Sequence, residues 1–205
     1  MVKRSITIKN NGTFKGNISI FQKQPDLKAM GAMSLAWLTK GANPNTKLKF
    51  EWIENYCFLW SEGEELKPGV VFSSSQTIPT NLRTNNKIKL EKNEYGYFFT
   101  NQITDAIHKD TLIIEESNSI PGNEASIGIG MSGLGTFVWQ SEPNVYLNIQ
   151  PKPQYWVTYG TFNQGEVLNT QQLVDRAIQI EFPANKYTAI VTLNSNNTWE
   201  NIIYK

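Results

Sequence analysis

The sequence has one cysteine and one histidine in 205 residues, and these shortages exclude several classes of protein. A single thiol, Cys57, cannot form an internal disulfide framework. One histidine and one cysteine cannot supply the usual closed zinc site, and no D-x-D-x-D-G loop is present for calcium. We therefore expect no metal and no cofactor. Between Tyr56 and Phe58, Cys57 is predicted to be a small buried residue with an inert thiol.

Charged residues make up only 18% of the chain, and its 19 basic and 18 acidic residues nearly cancel to a net charge of +1. Such a chain has no basic field that would attract nucleic acid or an anionic membrane. Its apolar runs, such as Tyr187–Leu193, are too short to form a transmembrane segment. The basic start is not followed by an apolar core, so no signal peptide is expected. These features predict a cytoplasmic protein, and they leave release by a signal-independent route open.

The single histidine limits the catalytic arrangements that the chain can form. Gly130–Leu134 comes within one residue of the nucleophile elbow G-x-S-x-G, but the elbow needs a strand that runs into a helix, and another strand pattern follows here. Any triad would have to use His108, which lies in the polar, turn-like segment Asp105–Asp110. Glu115 and Glu116 are adjacent in a predicted strand, so their carboxylates point to opposite faces. We assign no catalytic residue, and a non-enzymatic protein is favoured.

Short segments with strand periodicity cover most of the chain. Leu48, Phe50 and Trp52 alternate with charged residues, a pattern typical of a strand with one buried face. Tyr56–Trp60 is apolar throughout and is predicted to be buried on both faces. Val70–Gln76 also has the composition of a strand, with little charge. Strands this short, separated by turn residues, favour an all-β protein.

The connections between these segments refine the predicted fold. Asn11-Gly12 is a strong two-residue hairpin signal between the strands Ser5–Asn10 and Asn17–Gln22. Thr170–Arg176 is the one helical candidate. No linker or internal repeat divides the chain. The sequence therefore predicts a single domain, residues 1–205, with a two-layer antiparallel β-sandwich and at most one short helix.

The segment around Ile127–Met131 has apolar side chains on one face and glycine on the other. Glycine inside a strand offers no side chain to pack, and it marks a bulge or the close approach of another group. We therefore expect a bare groove over which aromatic residues or another chain can lie. The structural glycines that define it are Gly128, Gly130, Gly133 and Gly135.

Aromatic residues make up 12% of the chain, and its six tryptophans each lie within or beside a predicted strand. Most of them are expected in the core, with the indole N–H satisfied locally. Flat aromatic residues on a sandwich can also stack on sugar rings, and neighbouring amides can hydrogen-bond to the sugar. The candidate binding residues are Ser132, Trp139, Asn144, Tyr155 and Trp156.

A family resemblance rests on segments that follow one another over most of the chain: Ser34–Trp37, Phe50–Trp52, Tyr56–Glu62, Leu66–Gln76, Gly128–Asn144, Tyr155–Gly160 and Gly165–Asn169. The run Gly-Ile-Gly-Met-Ser-Gly-x-Gly-Thr-Phe-Val is the specific part of this pattern. It resembles the RhiA-like proteins of bacteria and fungi, which are named after the rhizosphere protein of rhizobia. The resemblance implies a small soluble single-domain protein without a signal sequence, and it supplies no catalytic residue.

Three classes of function remain. The favoured one is a non-enzymatic β-sandwich that binds a glycan or a protein surface, or that self-assembles as a homo-oligomer. Edge strands of low charge, such as Val70–Gln76, and the glycine groove are compatible with association between strands. The second class is a hydrolase of polysaccharide or ester that uses Ser132 or a carboxylate pair. The third, less favoured, is a membrane-active or insecticidal β-rich protein.

Overall fold

Strands account for most of the regular structure in residues 2–63 and 65–205, which the computed structural model describes. One five-residue α-helix, α1 (Pro25–Ala29), and one 3₁₀ turn, Val174–Arg176, are the helical elements of these residues. The all-β prediction with at most one short helix is confirmed. The strands are β1 (Lys3–Asn10), β2 (Gly16–Lys23), β3 (Met33–Ser34), β4 (Leu38–Ala42), β5 (Thr46–Ile53), β6 (Tyr56–Glu62), β7 (Gln76–Thr80), β8 (Lys87–Asn93), β9 (Gly96–Ile103), β10 (Leu112–Glu116), β11 (Ala125–Met131), β12 (Leu134–Gln140), β13 (Tyr146–Ile149), β14 (Gln154–Gly160), β15 (Ala177–Ile180), β16 (Thr188–Leu193) and β17 (Ile203–Tyr204).

The strands described divide among four sheets. Sheet I has the order β17-β16-β1-β5, sheet II β15-β14-β2-β4, sheet III β3-β12-β11-β6-β7 and sheet IV β13-β10-β8-β9. Strand β1 runs parallel to β16, and β8 runs parallel to β10, so the antiparallel prediction is wrong for these two pairs. Parallel neighbours need a crossover connection, which places distant parts of the chain side by side.

The predicted hairpin at Asn11-Gly12 does not form, because β1 and β2 belong to different sheets. The Asn11 amide donates to the Leu193 carbonyl oxygen at 2.8 Å, which continues the pairing of β1 with β16. The amides of Thr13 and Phe14 then donate to the Asn197 side-chain oxygen at 3.0 and 3.1 Å. This distant asparagine redirects the chain from sheet I to sheet II and prevents the tight turn.

The helix prediction is also wrong in position. The α-helix begins at Pro25, whose fixed φ suits the first helical residue, and it is anchored by the buried side chain of Leu27. Thr170–Arg176 forms turns that end in the 3₁₀ turn, with Leu173 packed beneath it. Two turns of isolated helix are marginal in water, so tertiary packing decided between these segments.

The burial patterns of the central strands agree with the sequence. In β5, Phe50 and Trp52 are buried while Glu51 is exposed, and most of β6 is buried, as predicted. The strand predicted at Val70–Gln76 is wrong, because Val71 makes one isolated bridge to Glu166 and β7 begins at Gln76.

Two large hydrophobic clusters join the sheets in pairs. Residues of sheets I and II share one cluster, which includes Ile6, Ile8, Ile18, Ile20 and Phe50. Residues of sheets III and IV share the other, with Phe58, Ile88, Leu90, Ile114 and Ile127 among its members. No helix among the described residues is long and apolar enough to cross a membrane.

Candidate functional site

The glycine face of β11 is covered by the chain itself. Strand β11 is buried along its whole length between β6 and β12, with a register shift between Ile129 and Gly130. A Cβ atom at Gly128 would meet the Phe137 carbonyl oxygen and the Leu59 side chain, and one at Gly130 would meet the Leu134 carbonyl oxygen. The glycines therefore let three strands approach closely.

A small hydrophobic cluster fills the space over these glycines. It contains Leu35, Cys57, Leu59, Val138 and the aromatic Phe72, with two further members from the loops, Leu66 and Val167. Burial raises the pKa of the Cys57 thiol to about 11, so the thiol stays protonated and unreactive at neutral pH. The structure thus places Cys57 in the core, as the sequence predicts.

Ser132 and Gly133 form a tight two-residue turn between β11 and β12, with φ values of 55° and 78° that are typical of type I′ hairpins. The Ser132 hydroxyl donates to the Ile53 carbonyl oxygen at 2.9 Å and accepts from the Ile53 amide at 2.9 Å. The Ser132 amide donates to the Asn55 carbonyl oxygen at 3.0 Å. The hydroxyl thus connects the Ser132-Gly133 turn to the connection between β5 and β6. The single histidine, His108, lies elsewhere, with its ring Nδ1 atom 3.2 Å from the Asp105 carboxylate.

Two of the candidate aromatic residues lie in the core. Trp139 is buried between sheets III and IV, where its indole N–H donates to the Met30 carbonyl oxygen at 3.1 Å. Tyr155 is buried between sheets I and II, and its hydroxyl donates to the Glu54 carboxylate at 3.1 Å. Burial, assisted by Glu54, raises the pKa of Tyr155. Neither ring presents a face to a ligand.

The other two candidates lie in separate places. Asn144 is exposed, with φ of 60°, in the connection between β12 and β13. Trp156 is half-buried on the outer face of sheet II, where its ring stacks on Phe21 with centroids 6.4 Å apart. The Lys23 ammonium lies 3.9 Å from the centre of the Trp156 ring. The structure does not bring the five candidate residues together. Asn144 lines a separate recess beside Glu115 and Glu116, and Trp156 lies beside Lys23.

A cleft of about 610 Å³ opens where β2, α1 and β3 meet the segment Val167–Val174. We call it the lysine cleft. Its apolar wall consists of Ala32, Met33, Phe137, Val167, Leu168 and Val174, and its charged residues are Lys23 and Lys28. Ligand sites in proteins have volumes of roughly 300–1,000 Å³ and largely apolar walls with a few polar groups, and this cleft fits that description.

Hydrogen bonds to backbone groups hold the two walls of the lysine cleft in place. The Gln24 side chain donates to the Gln150 carbonyl oxygen at 2.8 Å and accepts from the Lys152 amide at 2.7 Å, which clamps the corner between β2 and α1. On the opposite wall, the Leu168 amide donates to the Ser34 carbonyl oxygen at 2.9 Å. The cleft is therefore formed by ordered backbone on both sides.

No carboxylate among the described residues neutralises the charge of the lysine cleft. Lys23 is half-buried, and burial, followed by the repulsion of Lys28, lowers its pKa. Within residues 2–63 and 65–205, neither lysine lies within 4.0 Å of a carboxylate. A second recess, of about 750 Å³, differs because its charged residues are paired: Arg83 with Asp110 at 3.8 Å, and Glu54 with Arg4.

Sequence reasoning did not find this cleft. Lys23 and Lys28 flank Pro25 in a sequence with scattered lysines, and nothing in their spacing marks a site. Phe137 and Leu168, which complete the wall, lie more than a hundred residues further along the chain. The pairing of β12 with β3 and the bridge between Leu35 and Val167 bring them to the lysines.

Comparison with known proteins supports the resemblance seen in the sequence. The model of the RhiA family matches residues 2–202. The chain belongs to the RhiA family. Protein RhiA of Rhizobium leguminosarum bv. viciae is 29% identical over 202 residues, which cover 96% of this chain and 84% of that protein. No solved structure matches the chain. Membership therefore extends over nearly all of the sequence, including every residue of the lysine cleft.

Proposed function

We propose that this RhiA family member is a non-enzymatic binding protein, and that the lysine cleft is its ligand site. The observation that carries this proposal is the combination, in one cavity, of an apolar wall and two lysines without carboxylate partners among the described residues. Binding energy comes from burial of apolar surface, and charged groups at the rim give orientation and specificity. The size of the cleft fits a small molecule.

A glycan bound on an aromatic platform has less support from the geometry. Four tryptophans are buried in the clusters, namely Trp37, Trp52, Trp60 and Trp139, and Trp156 and Trp199 are half-buried. The ring of Trp156 stacks on Phe21 and carries the Lys23 ammonium, so its contacts are already made within the protein. A sugar would have to displace the lysine to stack there.

Self-assembly through a strand edge also has less support. Val70–Gln76, which suggested it, is not a strand, and β7 at the edge of sheet III contains Pro79. A proline removes a hydrogen-bond donor and discourages the addition of another strand. We favour a small-molecule ligand over a homo-oligomeric interface for these reasons.

A ligand screen with a blocked variant tests the proposal. A library of small molecules is screened by ligand-observed NMR against the wild-type chain and against Ser34→Trp, which adds a large side chain to the cleft wall. The matched control is Ser195→Trp, which changes an exposed loop residue away from the cleft. We expect ligands that bind the wild type and the control but not the blocked variant. Ligands that bind all three proteins equally would contradict the proposal.

A further inference from the structure

We propose that the ligand of the lysine cleft is a small amphiphilic carboxylate, whose acid group lies between Lys23 and Lys28 and whose apolar body lies along Phe137 and Leu168. This inference rests on the proposed function, because it requires that the cleft binds a ligand. It adds the charge and the orientation of that ligand. The occupant is a free small molecule with a single negative charge.

The Lys23 ammonium is held in place before any ligand binds. It lies 3.9 Å from the centre of the Trp156 ring and 5.6 Å from that of Phe21. The negative faces of aromatic rings attract a cation, and this attraction strengthens where water is partly excluded. The aromatic rings therefore direct Lys23 without neutralising its charge.

The electrostatic complement of the cleft is an anion. Lys23 and Lys28 repel each other, and the half-burial of Lys23 adds a cost to its positive charge. An anion between the two ammonium groups offsets both costs through charge-assisted hydrogen bonds. Asp26 and Asp175 lie on the elements that flank the cleft, but they do not line it.

The remaining wall selects a ligand with an apolar body. Phe137 and Leu168 are buried residues of the wall, and Val174 lies at the cleft with 65% of its surface exposed. A ligand chain that covered Val174 would remove this apolar surface from water. The lining residues include no arginine, so the positive charge at the cleft comes from the two lysine ammonium groups. A carboxylate is the simplest head group that fits.

Three probes with the same alkyl chain separate the charge from the apolar body. Decanoate, decanol and decyltrimethylammonium are titrated into the wild-type chain by isothermal calorimetry, with amide NMR shifts to locate the bound probe. We expect saturable binding of one decanoate, with shifts at the cleft, weaker binding of decanol, and no binding of the cation. Lys23→Gln and Lys28→Gln are each expected to weaken decanoate binding about tenfold, since each removes a charge-assisted bond.

Two controls show whether the effects depend on the charge of the two cleft lysines: a lysine variant outside the cleft, and the neutral probe decanol. Lys109→Gln changes an exposed lysine in the connection between β9 and β10, and it is expected to leave the affinity for decanoate unchanged. Decanol binding is expected to be the same in Lys23→Gln and Lys28→Gln as in the wild type. Circular dichroism and thermal unfolding confirm that each variant is folded.

The outcomes distinguish this inference from the proposed function. If decanoate binds the Lys23→Gln/Lys28→Gln protein as tightly as the wild type, or if decanol binds as tightly as decanoate, the carboxylate assignment is wrong while the cleft remains a ligand site. If neither probe binds, the assignment is again wrong. The proposed function fails separately, when the wider screen finds no ligand that Ser34→Trp excludes.

Discussion

The Trp37 indole N–H donates to the Met131 carbonyl oxygen at 3.0 Å, and both residues are completely or almost completely buried. Met131 is the last residue of β11 in sheet III, yet it packs in the cluster shared by sheets I and II. Trp37 lies in the same cluster. This hydrogen bond thus connects the strand that carries the glycines to the core of the other pair of sheets.

Replacement of Trp37 by phenylalanine is expected to destabilise the protein by about 2 kcal/mol, because it removes a buried hydrogen bond and packed volume. Urea unfolding followed by circular dichroism measures the change. Trp199→Phe is the matched control, since Trp199 also donates to a carbonyl oxygen, that of Arg176, but is half-exposed. Equal losses in the two variants would show that the buried bond has no special weight.

We propose that the four sheets unfold as one domain, because Trp37 and Met131 join the two pairs of sheets through a buried contact. Differential scanning calorimetry is expected to show one transition, with a calorimetric enthalpy equal to the van't Hoff enthalpy. In Trp37→Phe the transition is expected to move to lower temperature and to remain single. Two resolved transitions in the wild type would indicate two independent units.

The loss of stability on replacing a glycine by alanine is expected to depend strongly on the position of the glycine. Gly128→Ala is expected to destabilise the chain by about 2–3 kcal/mol, because the added Cβ meets the Phe137 carbonyl oxygen and the Leu59 side chain. Gly122→Ala is the control, since a Cβ there meets nothing within 4 Å. Urea unfolding of both variants measures the difference. A neutral effect at Gly128 would mean that β11 and its neighbours are less closely packed than the structure shows.

The buried carboxyl group of Glu116 is expected to make the folded protein less stable as the pH rises. Its side chain is buried, and neither carboxyl oxygen has a hydrogen-bond partner among the described residues. Burial raises the pKa of Glu116 to about 7, above the usual value of 4.5. The charge of Glu142 adds to this increase, whereas the nearby Ser141 hydroxyl and Glu142 amide oppose it. Between these two pH values the folded state holds a proton that the unfolded state has lost.

The free energy of unfolding is therefore expected to be highest at and below about pH 4.5 for this group, to decrease through about pH 7, and then to level off. The full difference is at most about 3 kcal/mol. Urea unfolding at about pH 5 and about pH 8 measures it. Glu116→Gln keeps the shape and removes the titration, so the dependence on pH in this window is expected to disappear. A wild-type stability that rises across the window would contradict the protonated state of Glu116.

In β5 and β6, the local patterns in the sequence determined that the segments are strands and which of their faces are buried. The alternation in β5 and the apolar run of β6 predicted their burial, because side chains on a strand point to alternate faces. The Ser132-Gly133 turn follows from glycine's freedom at positive φ. The family resemblance, which extends over most of the chain, could also be recognised from the sequence alone.

Only the tertiary structure decided which strands are neighbours and where the lysine cleft forms. Periodicity shows that a face is buried but does not name the strand against which it lies. Ser5 of β1 hydrogen-bonds to Thr188, 183 residues away, and such distant pairing overrode the hairpin signal at Asn11-Gly12. In the same way, Lys23 came to line one cleft with Phe137 and Leu168 because distant strands pair, which no local pattern encodes.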